Sequence, residues 1–519
     1  MNNLMDITRR NVLKAAGAVT ASATLLGAGT AYAAPRKGGT ARFGIGDGST
    51  SDTLDPAKTA STFSQLVVFG GLGNTLTSVA PNGDLVPDLA ESWEDAGRAK
   101  QWVFRLVPGV EFHNGKSLTA QDVIATMDYH RREDSGSGAR TIAQTIAHMK
   151  ADDDQTIIFE LVEPNADFPF LVNTYQLVIM PTDADGNVDP TSGIGTGSYR
   201  LGTFEAGQRA RLERFENHHH ADRGWFDAVE LVLINDDAAR QAAFLTGEVD
   251  IINRVPPDSV SRLSRSPKAQ IVEVTGNQHF VFPMHVDTPP FNDPDVRLAL
   301  KLAIDRQAIV DRVLMGHGAV ANDHPIGPAN TYFADDLEQR AYDPDEARHH
   351  LKKAGLENLT VDLSVSNAAF PGTVDTGVLY KEAAEKAGIE INLVREPSDG
   401  YWSNVWLKKP FCASYWGGRP TENWMFSTAY VAGAAWNETR WSNERFAELL
   451  QMGQTTTNPD DRRGIYREMQ KIVRDDGGSL IFAYGNYIDA ASDAVGVPES
   501  VSNQYELDGF RALDSWWFK

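Results

Sequence analysis

Residues 360–394 read TVDLSVSNAAFPGTVDTGVLYKEAAEKAGIEINLV. The alternation in 360–366 predicts a half-buried strand, and residues 374–387 predict a helix that ends at Gly388. Ile389 to Val394 alternates again, as a second strand. A strand–helix–strand unit crosses over right-handed between parallel strands in nearly all proteins, so this stretch sets the class as α/β.

The flanking chain repeats this mixture. Residues 38–45 open as a strand, and Trp102–Leu106 alternates like one. Pro108-Gly109 turns it, and Glu111–His113 is expected to continue the strand up to the tight-turn pair Asn114-Gly115. Thr119 and Asp122 form a capping-box pair ahead of Val123, Ile124 and Met127. Further strands are expected at 155–161, 210–215, 229–235 and 480–484. A helical hairpin is expected at 293–316, capped by Asp293 and re-capped by Asp305, and a long helix from Asn458-Pro459 to about 475.

Composition narrows the function. The chain has 519 residues and a formal charge of −22. Its first 34 residues carry Arg9, Arg10 and Lys14 against Asp6, so the remainder stands at −24. Such a polyanion lacks the cationic face that nucleic acid requires. Residues 6–34 combine a basic start, a short weakly apolar run and a small-residue cleavage site. With consecutive Arg9-Arg10, they predict a twin-arginine export signal and a periplasmic location. The run Ala15–Ala31 is too short and too polar for a membrane span. The one cysteine, Cys412, permits no internal disulfide.

Six stretches, in order, then carry a resemblance. They are Leu85–Trp93 (LVPDLAESW), Phe104–Val123 with its FHNGKSLTAQDV ending, Gly195–Tyr199 (GTGSY), Leu245–Asp250 (LTGEVD), Pro290–Arg306 ending in AIDR, and Tyr342–Ala347 (YDPDEA) with Lys353-Ala354-Gly355. Together they resemble the extracytoplasmic solute-binding proteins of ABC transporters in the peptide, oligopeptide and nickel family (family 5). The resemblance implies an α/β, two-lobed, type II periplasmic-binding-protein fold, hinged about a ligand cleft, with a third subdomain on the first lobe. Residues 1–34 would be the signal, and 35–78, 187–282 and 492–519 lobe I. Residues 79–186 would be the inserted subdomain and 283–491 lobe II. It also implies a monomer that hands one small solute to membrane permease subunits. Pro87, Trp93, Phe112, Asp122 and Asp305-Arg306 are expected to be turn, cap and packing residues rather than ligand contacts.

Enzyme readings find little support. There is no Gly-x-Ser-x-Gly or His-Glu-x-x-His, and Gly193-x-Gly195-x-Gly197 lacks the lysine of a phosphate loop. His218-His219-His220 is expected to be an exposed turn with rings on alternate faces. Asp183–Asp189 echoes a calcium loop, but Val188 stands where the sharp-turn glycine belongs. No catalytic residue, metal or cofactor is expected. A secreted hydrolase is the alternative of another class.

Residues 411–441 concentrate the aromatics, with Tyr415, Trp416, Trp424, Trp436 and Trp441. Ligand pockets combine apolar walls with a few placed polar groups, which this stretch supplies through Arg419 and Glu422. Peptide-binding relatives carry, four residues before the proline, an aspartate that pairs with the peptide ammonium; aligned on Pro420, that position here is Trp416. A tryptophan face can hold a cation instead, and Arg419 can pair with a carboxylate. The solute is therefore expected to be a peptide or a peptide-sized amine or zwitterion, with a quaternary ammonium, an opine-like compound or a sugar as alternatives. By position, Asp47, Gly48, Asn367, Phe370 and Tyr484 complete the expected lining, with Tyr487 near the last of these.

Overall fold

Strands Leu359–Val365 and Ile389–Arg395 pair in parallel along their whole length, from Leu359 opposite Ile389 to Val365 opposite Arg395. Helix Thr373–Glu385 connects them. Val361, Leu363, Ile389 and Ile391 point inward to meet Tyr380 and Ala384 of that helix. The structure, a computed structural model, describes residues 35–519 apart from 367, 371, 398–400 and 435 and the side chains of 402 and 403. The expected signal and Asn367 lie outside the described residues.

A nine-stranded sheet organises the rest. Strand Thr40–Ile45 lies at its centre, parallel to Ala228–Leu233 and to Ile251–Ile252. The antiparallel strands Arg209–Arg214 and Tyr199–Glu205 extend one side. On the other side run two long antiparallel strands, Ala269–Pro283 and Ser479–Ser492, followed by the short Ser414–Trp416. The expected strand at 480–484 is thus eight residues too short at its end. Gly485-Asn486 reads like a turn, yet the backbone continues because the partner strand supplies the matching ladder.

The long pair joins two separate cores. One, built around Phe43, Phe63, Leu212, Leu231 and Trp516, lies under the central strands. The other, around Phe282, Phe291, Phe411, Phe482 and Tyr380, lies under the far ends of the long strands and the parallel unit. Burying each such aromatic contributes about 1.5–3 kcal/mol. Between them the ladder shifts register between Thr275 and His279. Cys412 is buried in the second core, where burial pushes its thiol well above its ordinary pKa.

A third core belongs to a four-stranded antiparallel sheet ordered Ala90–Asp95, Gln101–Leu106, Thr156–Leu161, Ile146–Asp153. Phe104, Phe112, Phe159 and Phe168 fill it. Helix Ala120–Arg131 covers it, and both bonds of the Thr119–Asp122 capping box are present. Glu111–His113 does not extend the strand; only an isolated bridge joins Glu111 to Ser117, since the turn at Gly115 follows at once.

Several of the residues expected to serve structure make structural contacts, whereas Pro87 ends strand Leu85–Pro87 and is exposed. Asp305 caps helix Arg306–Arg312 by accepting from the Ala308 N–H. Arg306 donates to both oxygens of buried Asp323 at 2.7 and 2.8 Å, and Arg340 joins them at 2.8 Å. Asp183 accepts from the backbone of Asp185 and Asn187, closing its own turn. His218–His220 departs from expectation. The segment is bent rather than extended, so the three rings gather with centres 4.2–5.7 Å apart. The His219 side chain is only 7% exposed.

Candidate functional site

A cavity of about 740 Å³ opens where the 411–441 segment meets the central sheet, a size ordinary for small-solute pockets. Asp47, Tyr415, Arg419, Trp424 and Trp436 line it, joined by Arg254, Tyr487, Tyr505 and Glu506. Tyr415 and Trp436 are 39% and 46% exposed, large apolar faces turned to the opening.

Local backbone geometry presents these groups. Asp47 follows the central strand with φ +74°, and Arg254 follows Ile251–Ile252 with φ +51°. Both adopt the left-handed conformation that non-glycine residues rarely hold, a conformation that concentrates at ligand sites. Gly418 has φ +74°, and a β-carbon there would stand 2.4 Å from the Asn277 side chain. Only glycine lets the chain pass so close and deliver Arg419. The Arg419 carbonyl is in turn held by Asn277 and Asn330 at 3.5 and 3.3 Å.

The two arginines differ electrostatically. Arg254 donates to both Glu506 oxygens at 3.0 and 3.2 Å, and to Asp47 and Thr62 at 3.1 Å each. Burial opposes its charge, but Glu506 and Asp47 outweigh it and raise its pKa. Among the described residues, Arg419 donates only to its neighbour, the Gly418 carbonyl, at 2.6 Å. Its guanidinium lies 5.7 Å from the ring centre of Trp416 and 5.9 Å from that of Trp424. Among the described residues no carboxylate stands within ion-pairing distance of it, and burial lowers its pKa. Among the described residues, the site therefore holds one neutralised cation and one desolvated cation with no carboxylate paired to it.

Other expected residues lie elsewhere. Gly48 lines an adjoining recess with Asp47, Asn235 and Arg240. Trp416 lies behind the wall, 5% exposed; its indole N–H donates to Glu438 at 2.9 Å, and its face carries Arg419. That arrangement places the protein's own cation where a ligand cation was expected. Glu422 is buried beyond it, accepting from the Tyr332 N–H at 2.7 Å, and burial pushes its carboxyl up to about 7. Phe370 packs in the second core, its ring tilted with its centre 4.5 Å from that of Phe280. Tyr484 is buried, donating to the carbonyls of His324 and Ile326 at 3.0 and 2.9 Å.

Sequence reasoning missed Arg254, Glu506, Tyr505 and Glu438. Arg254 lies four residues beyond the matched stretch Leu245–Asp250, just after strand Ile251–Ile252, so the end of a strand was a usable signal. Glu506 and Tyr505 come from the C-terminal segment, and nothing local marks them.

Comparison with known proteins agrees with this architecture. Residues 84–438, more than half the chain, match the family described as bacterial extracellular solute-binding proteins, family 5 Middle. The dipeptide-binding protein of Escherichia coli K12 is 24% identical over 479 residues, covering 84% of this chain and 86% of that protein. Among solved structures, the ABC transporter substrate-binding protein CtaP of Listeria monocytogenes superposes with TM-score 0.81 at 20% identity, covering 93% of this chain and all of that one. The periplasmic binding protein DppA of Helicobacter pylori, in complex with peptide STSA, gives 0.73 at 19% identity, covering 93% and 98%. These likenesses carry the two-lobed α/β fold expected from the sequence. The chain belongs to the bacterial extracellular solute-binding proteins of family 5.

Proposed function

We propose that this chain is the receptor of an ABC importer and takes a peptide-type solute whose carboxylate pairs with Arg419. The observation that carries the reading is the contrast between the two arginines. Arg254 already has two carboxylates, whereas Arg419 has none among the described residues. A buried guanidinium left unpaired is costly, and a ligand carboxylate removes that cost with a bidentate, charge-assisted contact. Tyr415, Trp424 and Trp436 offer apolar faces to the rest of the solute. Asp47, 40% exposed at its side chain, is the carboxylate best placed to receive an ammonium. This makes a zwitterion the preferred solute over a quaternary ammonium or a sugar.

Delivery follows from closure. Residues 35–78, 187–282 and 492–519 form lobe I in this reading, 79–186 its inserted subdomain and 283–491 lobe II. The separate cores support that division, and the register shift between Thr275 and His279 gives the two long strands a bending point. A solute touching both lobes binds the closed state better and so shifts the equilibrium. The receptor acts as a monomer outside the cytoplasmic membrane, exported by the twin-arginine route, and delivers to permease subunits. No helix among the described residues is long and apolar enough to cross a membrane.

Titration calorimetry with di- and tripeptides and their C-terminal amides tests the ligand reading. Free acids should bind at least tenfold more tightly than the amides, and Arg419→Gln should abolish that preference. Equal binding of acid and amide by the parent protein would refute it.

A further inference from the structure

Away from the cleft, His219, His220 and Asp88 converge. One donor atom from each lies within 4.8 Å of the others. Asp88 follows strand Leu85–Pro87, and the histidines lie in the bend between Arg209–Arg214 and Ala228–Leu233. The Asp88 Oδ1 stands 3.5 Å from His219 Nε2 and 3.4 Å from His220 Nε2. Those separations are long for hydrogen bonds. They are what a four-coordinate ion needs, since bonds of about 2.0–2.1 Å place neighbouring donors about 3.3–3.5 Å apart.

A second observation points the same way. The His219 side chain is 7% exposed, and neither ring nitrogen has a hydrogen-bond partner among the described residues. Buried polar groups are nearly always satisfied, so an orphaned imidazole beside a carboxylate lacks a partner. The Asp88 oxygens receive Asn74 at 3.1 and 3.2 Å, which fixes the carboxylate plane. Arg511 approaches only Oδ2, at 3.6 Å, and is anchored on the Phe69 ring and the Phe69 and Gly73 carbonyls. Oδ1, which also accepts from Asn74, is the oxygen that faces the histidines.

We infer that Asp88, His219 and His220 form a binding site for a divalent late first-row transition ion such as zinc. Two imidazoles and a carboxylate suit these ions, with water completing the shell. The ion fastens the 216–220 bend of the large sheet to the start of the four-stranded region, a structural clamp outside the solute cleft.

The test uses the exported, signal-cleaved protein, purified without a polyhistidine tag, stripped with chelator and titrated with zinc sulfate. One ion per chain should bind, and His219→Ala and His220→Ala should each weaken binding at least tenfold. X-ray absorption at the zinc edge of the loaded parent protein should show nitrogen and oxygen neighbours, two of them imidazoles, and no sulfur. This spectrum decides the matter should a variant fail to fold. Absent stoichiometric uptake, uptake unchanged in the histidine variants, or a shell without two imidazoles would each overturn the site.

Discussion

The guanidinium of Arg419 lies 5.7 Å from the ring centre of Trp416, which is itself buried and hydrogen-bonded to Glu438. The stack fixes a cation at the cavity wall, because the ring cannot turn away without losing its indole bond. The wall is therefore preorganised, and a ligand carboxylate meets a guanidinium already in position.

Glu438 should be the keystone of that wall. It accepts from the indoles of Trp406 and Trp416 at 2.7 and 2.9 Å, and both rings touch Trp436. Glu438→Ala removes the acceptor of the buried Trp416 indole and of the half-buried Trp406 indole, and the loss at Trp416 alone should cost about 1–3 kcal/mol. Thermal unfolding should show a clear fall in Tm, with weaker solute binding alongside. An unchanged Tm would remove Glu438 from this role.

Glu422 should make stability fall as pH rises through a defined window. Burial, with Asp167 adding to it, pushes the folded carboxyl up to about 7 from the usual 4.5, while the Tyr332 N–H and Arg462 oppose the shift. Between those values the unfolded chain releases a proton that the folded chain keeps, so deprotonation favours unfolding. The penalty, a few kcal/mol in order of magnitude, grows from about pH 4.5 to 7 and is flat above. Glu422→Gln keeps a carbonyl for the Tyr332 N–H and should flatten the decline. Denaturant melts of parent and variant at pH 5 and 7.5 measure it; parallel changes would contradict the assignment.

Small-angle scattering should report closure. Saturating ligand should lower the radius of gyration as the long strands bend near Gly276–Gln278. A β-carbon at Gly276 would stand 2.3 Å from the Tyr487 ring, so a cleft residue packs directly on the bending segment. An unchanged radius under saturation would rule out the hinge.

Much of the fold was legible in short-range pattern. The capping box at Thr119, the caps at Asp293, Asp305 and Asn458, and the parallel unit at 359–395 follow from local chemistry that tertiary contacts reinforce. The extension of the last long strand was not legible, because a partner distant in sequence decides it. The candidate site divides in the same way. Asp47, Tyr415, Arg419, Trp424 and Trp436 share the cavity because strand ends and the aromatic segment converge there. Phe370, Glu422 and Tyr484 share their composition with lining residues but face cores. Which way a side chain points depends on register, and a bulge or a left-handed residue such as Arg254 changes it without any trace in composition.

The pairing of Arg419 with a ligand carboxylate is tested most directly by native mass spectrometry of the protein purified from its own host without denaturation. The account predicts a co-purified solute of peptide size bearing a free carboxylate, retained by the parent chain and lost from Arg419→Gln. A neutral solute, or one that Arg419→Gln retains equally, would contradict it.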